Sequence, residues 1–568
     1  MRGCVGNARF QSFPAMKTVT HSFLQILLHI LAALSLVATG GFPAASSLAA
    51  VPAQDLPGDW AKVVDDPAKT LDLEWMGPLG YERALPGSWL QSRVEKLFNV
   101  KIHPIFLDPV AYEKTRALHF VAGDIPDLFW DGDPRGVRRK VKHGFVLELP
   151  YEVLLRYAPN YVAYVNANGP EAWMYSYSQG RNWGIPTVVP AGAIPLVAVW
   201  REDWLKNVGI TKIPKTLPEF HEAFRRFTFN DPDGNGRRDT YGLSPCIEHW
   251  SFFFIEFFAQ KGVLPFDLQE VDGKMTWGGI RPEAREVLAM LRDWYAEGII
   301  DPDFVLGLRS ETHMPLQNGR VGYYGLGTYD RSLERSRPDS VINRMAETHP
   351  EARLAAGPLM EGPDGQHRNR VWGGGGHVLQ FSANIPKEKV VRVLWMLDGI
   401  FADPKLAIEI NMGRRGLHWD YTPEQGVFAL DPYTGKKATQ EMIGVHNFLA
   451  PSFFGLSGLS LEAIDSLRSE SQRKAERLYS RPEWGIANAL GKTDVLESAS
   501  DSIEDLYRMQ VKFFVDIIRG KRPLDDFAVF VELWKKRGGD RLLEEAEVFR
   551  KERQEVYSKV GVSTGGSR

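Results

Sequence analysis

Asp231, Asp233, Asn235 and Asp239 lie in the stretch NDPDGNGRRDTYG, residues 230–242, at positions 1, 3, 5 and 9 of a D-x-D-x-N-G-x-x-D frame. Short oxygen-bearing side chains at alternate positions can wrap a hard cation. Gly236 at position 6 permits the sharp turn, and Arg237 at position 7 offers its backbone carbonyl. This is the front half of an EF-hand calcium loop. The back half departs from it, because position 12 is Gly242 where an EF-hand has a bidentate Glu, and Tyr241-Gly242-Leu243-Ser244-Pro245 reads as extended chain. The expected ligand set is Asp231, Asp233, Asn235, the Arg237 carbonyl and Asp239, with Asp239 bidentate, around a structural calcium ion. The competing reading is an Asx-rich turn without metal. A lone loop is suited to pinning structure rather than to sensing calcium.

The elements around the loop set its context. The chain has 568 residues, 44% hydrophobic and 24% charged, with a formal net charge of -3. That is the composition of a globular protein of more than one domain, with no basic excess for nucleic acid. Before Asp55 there is no acidic residue, and Phe23–Ala38 (FLQILLHILAALSLVA) is apolar apart from Gln25, His29 and Ser35. Lys17 precedes this run and small residues follow it, so residues 1–50 read as a secretory signal peptide cleaved near Ala50, with Met1 or Met16 as the start. A retained anchor needs about 20 apolar residues, more than this run has. Cys4 leaves with the leader and Cys246 alone remains, so no internal disulfide forms. The expected product is periplasmic or extracellular, monomeric, and not membrane-spanning after cleavage.

Short apolar runs then alternate with helical patterns. LDLEWMG (71–77), VKIHPIFLD (100–108) and Leu128 to Trp130 read as strands, and SWLQSRVEKLFNV (88–100) as a helix. This rhythm predicts a parallel α/β sheet. A second lobe begins near Ile194, where IPLVAVWREDWLKNVG reads as strand into helix. Thr216 and Glu219 form a capping box, and Phe220, Ala223, Phe224 and Phe227 share one face behind it. Further helices are expected over 281–298, 386–403 and from a capping box at Asp501 and Glu504 to Gly520.

In order along the chain, AGDIPDLFWDG (122–132), VWREDWLKNVGITKIPKTLPEFHEAFRRFT (199–228), the 230–243 loop, WYAEGIIDPDF (294–304), QNGRVGYY (317–324), MGRRGLHW (412–419) and FFVDIIRGKRPLDDF (513–527) resemble the extracellular solute-binding proteins of ABC importers, in the carbohydrate-binding (family 1) group. The loop is similar to that of a calcium-binding subgroup that includes alginate-type oligosaccharide binders, although Thr240 stands where that subgroup often has an acidic residue. The resemblance implies a two-lobed α/β periplasmic-binding-protein fold of type II, with the ligand in a cleft between lobes that close on it. The expected boundaries are 51–195 for the first part of lobe I, 196–372 for lobe II with the calcium loop, 373–450 for the return to lobe I, and 451–568 for lobe II and the C-terminal helices. Crossings are expected near 190–198, 370–380 and 450–460, with Gly373 to Gly376 supplying a flexible backbone at the second.

Sugars are held by aromatic rings on C–H faces and by planar polar groups on hydroxyls. Trp75 and Trp130 follow strands, where α/β clefts form. Trp183, Trp250, Trp372 and Trp419 sit in turn-like contexts, each with hydrophobic packing as the alternative. Glu74, Asp131, Asp133, Arg414 and Arg415 are the polar candidates, and two arginines facing the cleft would suit an acidic sugar. Neither HExxH nor GxSxG occurs. The expected function is binding, not catalysis: an oligosaccharide is captured and delivered to an ABC permease. The rival classes are a secreted glycoside-processing enzyme and a sensor-type binding protein for sugar or peptide.

Overall fold

A computed structural model describes residues 51–78, 88–108, 110–245, 253–306, 313–335, 340–432 and 459–562. Two separate sheets organise them. The larger has five strands in the order 100–107, 71–78, 128–131, 375–381, 185–188. Leu71–Pro78 runs parallel to both Val100–Leu107 and Leu128–Asp131, in register from Leu71 opposite Val100 to Pro78 opposite Leu107. Gly375–Phe381 then runs antiparallel to Leu128–Asp131 and to Ile185–Val188. The expected parallel sheet is thus mixed. The hydrophobic runs announce buried strands, but their direction depends on connections that periodicity does not encode.

Helices Trp89–Phe98, Tyr112–Val121 and Pro134–Lys142 follow these strands. Lys387–Ala402 buries Val390, Val393, Leu394, Leu397 and Ile400 against the same lobe.

The second sheet has three antiparallel strands, with Val197–Arg201 between Tyr323–Gly327 and Leu354–Gly357. The helix Leu217–Phe229 starts at the expected Thr216–Glu219 capping box, with both reciprocal bonds formed. Its face of Phe220, Ala223, Phe224 and Phe227 is fully buried. Phe220 and Tyr323 meet Trp200 with ring centroids 4.9 and 4.7 Å apart. Each such ring removes about 1.5–3 kcal/mol of apolar surface cost from water, so this face holds the helix.

The chain leaves the five-stranded sheet after Val188 and enters the three-stranded one at Val197. It returns between Gly357 and Gly375. The third expected crossing falls mostly on residues outside the described set. A further connecting segment is present: Gly485–Ile486 pairs in parallel with Asn369–Arg370.

The glycine run has a different purpose from the one its composition suggests. Gly373 alone of the four has a left-handed φ, +81°. Gly374 packs against the Asn168 carbonyl and Gly169, where a side chain would overlap backbone, and Gly192 packs against Gly373. The glycines give backbone segments room to touch rather than freedom to swing.

The last long helix of this region begins at Ala499, two residues before the expected box, so Asp501 lies inside its first turn. The two residues just ahead of it are held from elsewhere in the chain. Glu545 accepts from the backbone N–H of Glu497 at 2.5 Å and of Ser498 at 2.8 Å. A capping partner more than forty residues away leaves no local signature. No described helix is long and apolar enough to cross a membrane.

Candidate functional site

In an open α/β sheet, ligands meet the chain beyond the carboxyl ends of the parallel strands. Leu128–Asp131 ends there, and Pro134–Lys142 begins, N-capped by Asp133, whose carboxylate accepts the Arg135 N–H at 2.9 Å. Asp131 is fully buried. The Lys140 ammonium pairs with it, Arg116 stands 3.7 Å away, and the Asp133 N–H donates to it at 3.1 Å. Burial pushes the Asp131 carboxyl up, but the two cations outweigh burial and hold it below its usual range. These groups use the carboxylate inside the lobe.

Trp130 is half-buried between Tyr112 and His377, with ring centroids 5.4 and 4.7 Å away. Its indole Nε1 has no hydrogen-bond partner among the described residues. Burial first, then the Lys492 charge, pushes His377 down to about 3, so its imidazole is neutral at physiological pH. Lys492 donates to the Gly376 carbonyl at 2.5 Å and lies 4.6 Å over the Tyr175 ring. Burial lowers its ammonium to about 8 against the pull of Asp494, Asp133, Asp131 and Glu171. Asp494 stands 3.4 Å from Arg135, and Arg138 fixes the segment by donating to the carbonyls of Asp494, Val495 and Leu496. Lys492, Asp494, His377 and Trp130 all keep partial exposure.

The structure thus gathers Trp130, Asp131 and Asp133 with Lys492, Asp494 and His377, which the sequence reading missed. Gly491-Lys492-Thr493-Asp494 carries no periodic or motif signal, and only tertiary placement gives it a role. Trp372, 39% exposed, precedes the glycine run, with the Arg370 guanidinium 4.6 Å over its ring. Arg370 is itself buried and paired with Asp267 at 2.7 Å.

A second group forms over the start of the Trp89–Phe98 helix, which follows the first parallel strand. Trp419 is buried and donates its Nε1 to the Gly413 carbonyl at 2.8 Å. His418 meets Trp89 edge-on at 4.7 Å, and the Arg414 guanidinium is 6.0 Å from the Trp89 ring. Arg414 lies 4.0 Å from Glu409 and Arg415 lies 2.8 Å from Asp420, so neither is an uncompensated cation.

The other expected residues stand apart. Trp75 is inside the sheet, 1% exposed, with Glu74 beside it on the outer face. Trp183 donates to the Ser178 carbonyl at 2.9 Å within its own hairpin. Trp250 lies outside the described residues.

The 230–242 loop closes on itself. Asp231 accepts the backbone N–H of Asn235 at 3.0 Å and of Gly236 at 2.9 Å. Asn235 Nδ2 donates to Asp233 at 2.8 Å and is 3.3 Å from Asp239. Burial, then the neighbouring Asp231 and Asp239, pushes the Asp233 carboxyl above its usual value. Arg237 is exposed, and its N–H donates to Asn235 Oδ1 at 2.7 Å. Gly242 packs 2.9 Å from the Phe224 Cα, measured from where a Cβ would stand, so no glutamate fits at position 12. Among the described residues no three Asp, Glu, His or Cys side chains converge as a metal cluster. The loop's fourth donor is the Asn235 amide, whose two ends have the same shape. Crowded carboxylates that share one amide are a donor set suited to a hard divalent cation.

No family model matches the chain. Lipoprotein LipO of Bacillus subtilis (strain 168) is 27% identical over 365 residues, 61% of this chain and 66% of LipO. The polygalacturonan/rhamnogalacturonan-binding protein YtcQ of the same organism is 24% identical over 378 residues, 65% of this chain and 66% of YtcQ. The match therefore spans just under two thirds of each curated relative. Among solved structures, the alginate-binding protein AlgQ2 without calcium ion superimposes with a TM-score of 0.61 at 15% identity, over 86% of this chain and 99% of AlgQ2. The S. pneumoniae ABC-transporter substrate binding protein FusA in complex with kestose gives 0.59 at 16%, over 86% of this chain and all of FusA. An extracellular solute-binding protein from Bifidobacterium longum subsp. infantis gives 0.64 at 13%, again over 86% of this chain and all of its own. The chain has the two-lobed type II fold of the extracellular solute-binding proteins of ABC importers.

Proposed function

We propose that this chain is an exported binding protein that captures an oligosaccharide between its lobes and delivers it to an ABC permease. One observation carries the reading. At the carboxyl end of the parallel strands, a half-buried indole, a neutral imidazole, an ammonium and two carboxylates stand together, each partly exposed, and the exposed Trp372 lies just ahead in the chain of the strand that carries the imidazole. Rings for C–H faces and fixed polar groups for hydroxyls are what a sugar site needs, and nothing in the group is arranged as a nucleophile with its base. The relatives named for polygalacturonan, alginate and kestose support the same class.

In this reading the leader is removed near Ala50, the product is a periplasmic or extracellular monomer, and the lobes close on the sugar about the segments that cross between the two sheets. Asp231, Asp233, Asn235, the Arg237 carbonyl and Asp239 hold a calcium ion, which neutralises the crowded carboxylates and stiffens lobe II away from the sugar. The test is a thermal-shift series on the exported chain with calcium present, against neutral and acidic oligosaccharides. A ligand at 100 times its Kd stabilises by about 2.7 kcal/mol, a midpoint rise of several degrees at this size. The sugar should be recovered uncut. Recovery of shortened sugar would replace the binding role with an enzymatic one.

A further inference from the structure

Lys492 and Asp494 sit on a short piece of chain that belongs to neither sheet. Thr493–Val495 is a single turn of 3-10 helix, entered through Gly491 at a left-handed φ of +78°. Partly buried backbone groups of this kind must find partners. The carbonyls of Asp494, Val495 and Leu496 all accept from one guanidinium, that of Arg138, at 2.9, 2.7 and 2.8 Å. The N–H groups of the next two residues, Glu497 and Ser498, both donate to the carboxylate of Glu545, on the helix Asp540–Val560. Burial pushes the Arg138 guanidinium down, and Glu545 is the strongest of the charges that offset this, ahead of Asp133, Glu497 and Asp494. The cation and the anion that grip the segment thus also compensate each other.

The helix that carries Arg138 controls the strand end as well. It begins at its N-cap Asp133, and Arg135 in its first turn lies 3.0 Å from Asp133 and 3.4 Å from Asp494. One helix therefore holds Asp494 twice, at its carboxylate through Arg135 and at its carbonyl through Arg138. Lys492, two residues earlier, is set against the Gly376 carbonyl and the Tyr175 ring. The charges that offset its burial are Asp494, Asp133, Asp131 and Glu171, with the neutral His377 also beside it. Arg138 and Glu545 are not among these, so their influence on Lys492 passes through the backbone of the turn. A planar fork of donors spans three successive carbonyls, and a single ammonium does not.

We propose that Arg138 and Glu545 are positioning residues of the sugar site. They act on the turn rather than on the ligand, present Lys492 and Asp494 to it, and make the C-terminal helix a determinant of sugar affinity. The proposal rests on the oligosaccharide reading above and deepens it.

The full exported chain with calcium present is titrated calorimetrically with kestose and trigalacturonate, one neutral and one acidic probe, and is unfolded in urea at pH 8 and 10. The variants are Arg138→Met, Arg138→Lys, Glu545→Ala, Lys492→Met and each Arg138 variant combined with Lys492→Met. For a probe that binds wild type, Arg138→Met should lose about tenfold or more and Glu545→Ala about threefold or more. Arg138→Lys keeps the charge, loses the fork, and should fall between wild type and Arg138→Met. It decides the matter where Arg138→Met does not fold. Each double variant should bind about as weakly as the weaker of its two single variants, because both changes remove the same group. Losses that multiply in the double variants overturn the proposal, as does wild-type affinity in Arg138→Lys or Glu545→Ala. The gain in urea midpoint from pH 8 to 10 reports the buried Lys492 ammonium. It should shrink by about half or more in both Arg138 variants and vanish in Lys492→Met. A wild type silent to both probes counts against the oligosaccharide reading alone, and the pH gain then judges the grip. A gain lost in the Arg138 variants upholds the positioning of Lys492, and an unchanged gain overturns it.

Discussion

The Lys492 ammonium donates to the carbonyl of Gly376 at 2.5 Å, joining two segments whose other ends pair as Asn369–Arg370 against Gly485–Ile486. The two connecting segments are therefore tied at both ends. A ligand that engages Lys492 engages both.

That tie yields a pH test. Lys492 is lowered from its usual value to about 8, chiefly by burial. Between about 8 and 10.5 the unfolded chain holds the proton and the folded chain does not, so stability rises with pH across that window, by at most about 3 kcal/mol. Sugar affinity should move the opposite way and fall above pH 8, because the donor loses its charge. Lys492→Met should weaken sugar binding at least tenfold and flatten both trends. Urea unfolding and calorimetric titration at pH 7 and 10 would show this. Unchanged affinity in the methionine variant removes Lys492 from the site.

The glycine run separates two kinds of requirement. Gly373→Ala places a side chain at φ +81°, a strain of about 1–2 kcal/mol. Gly374→Ala forces a methyl group into the Asn168 carbonyl, an overlap with backbone that no rotamer relieves. The second should cost more than the first, roughly 3 kcal/mol or above, at the upper end of overpacking penalties. Equal small losses in chemical unfolding would restore the view of this run as a loose hinge.

What was legible in the sequence follows from the range of each interaction. The Leu217–Phe229 helix was readable because its cap and its buried stripe lie within thirteen consecutive residues. The start at Ala499 was not, because the residues leading into it, Glu497 and Ser498, are fixed by Glu545, far along the chain. Asp131 reads as a strand-end acid from sequence, and its pairing with Lys140 and Arg116 appears only in three dimensions. Arg414 and Arg415 drew attention as a pair, and each proves to lie against a carboxylate of its own neighbourhood, Glu409 and Asp420, which the sequence does not reveal.

Asp131 offers a direct check on such pairing. Asp131→Asn would leave Lys140 and Arg116 buried without their carboxylate, at a cost of about 3–5 kcal/mol. Unfolding in denaturant should register that loss. A variant of undiminished stability with weakened sugar binding would assign Asp131 to the ligand instead.

The loop gives a second pH relation. Asp233 is raised by burial and by its carboxylate neighbours, so in acid it takes up a proton before an ordinary aspartate does. Calcium needs that oxygen ionised. The rise in thermal midpoint on adding calcium should be full at neutral pH and shrink as pH falls toward the carboxylate range. Asp231→Ala with Asp233→Ala should abolish the rise and leave sugar affinity nearly unchanged. Sugar affinity lost together with the calcium response would move the ion into the binding site.

Glu256 supplies the last test. Its Oε2 is buried with no partner among the described residues, and it borders a small cavity with Tyr323, Tyr324 and Gly325. Burial pushes its carboxyl up to about 7. Between about 4.5 and 7 the folded chain therefore holds a proton that the unfolded chain has released, and stability falls as pH rises through that window. The full loss is at most about 3 kcal/mol, complete by pH 8. Glu256→Gln is the neutral isostere and should match wild type at pH 5 and exceed it at pH 8. Parallel stability curves for the two proteins would mean that the folded chain holds Glu256 ionised, with a partner or water that offsets its burial.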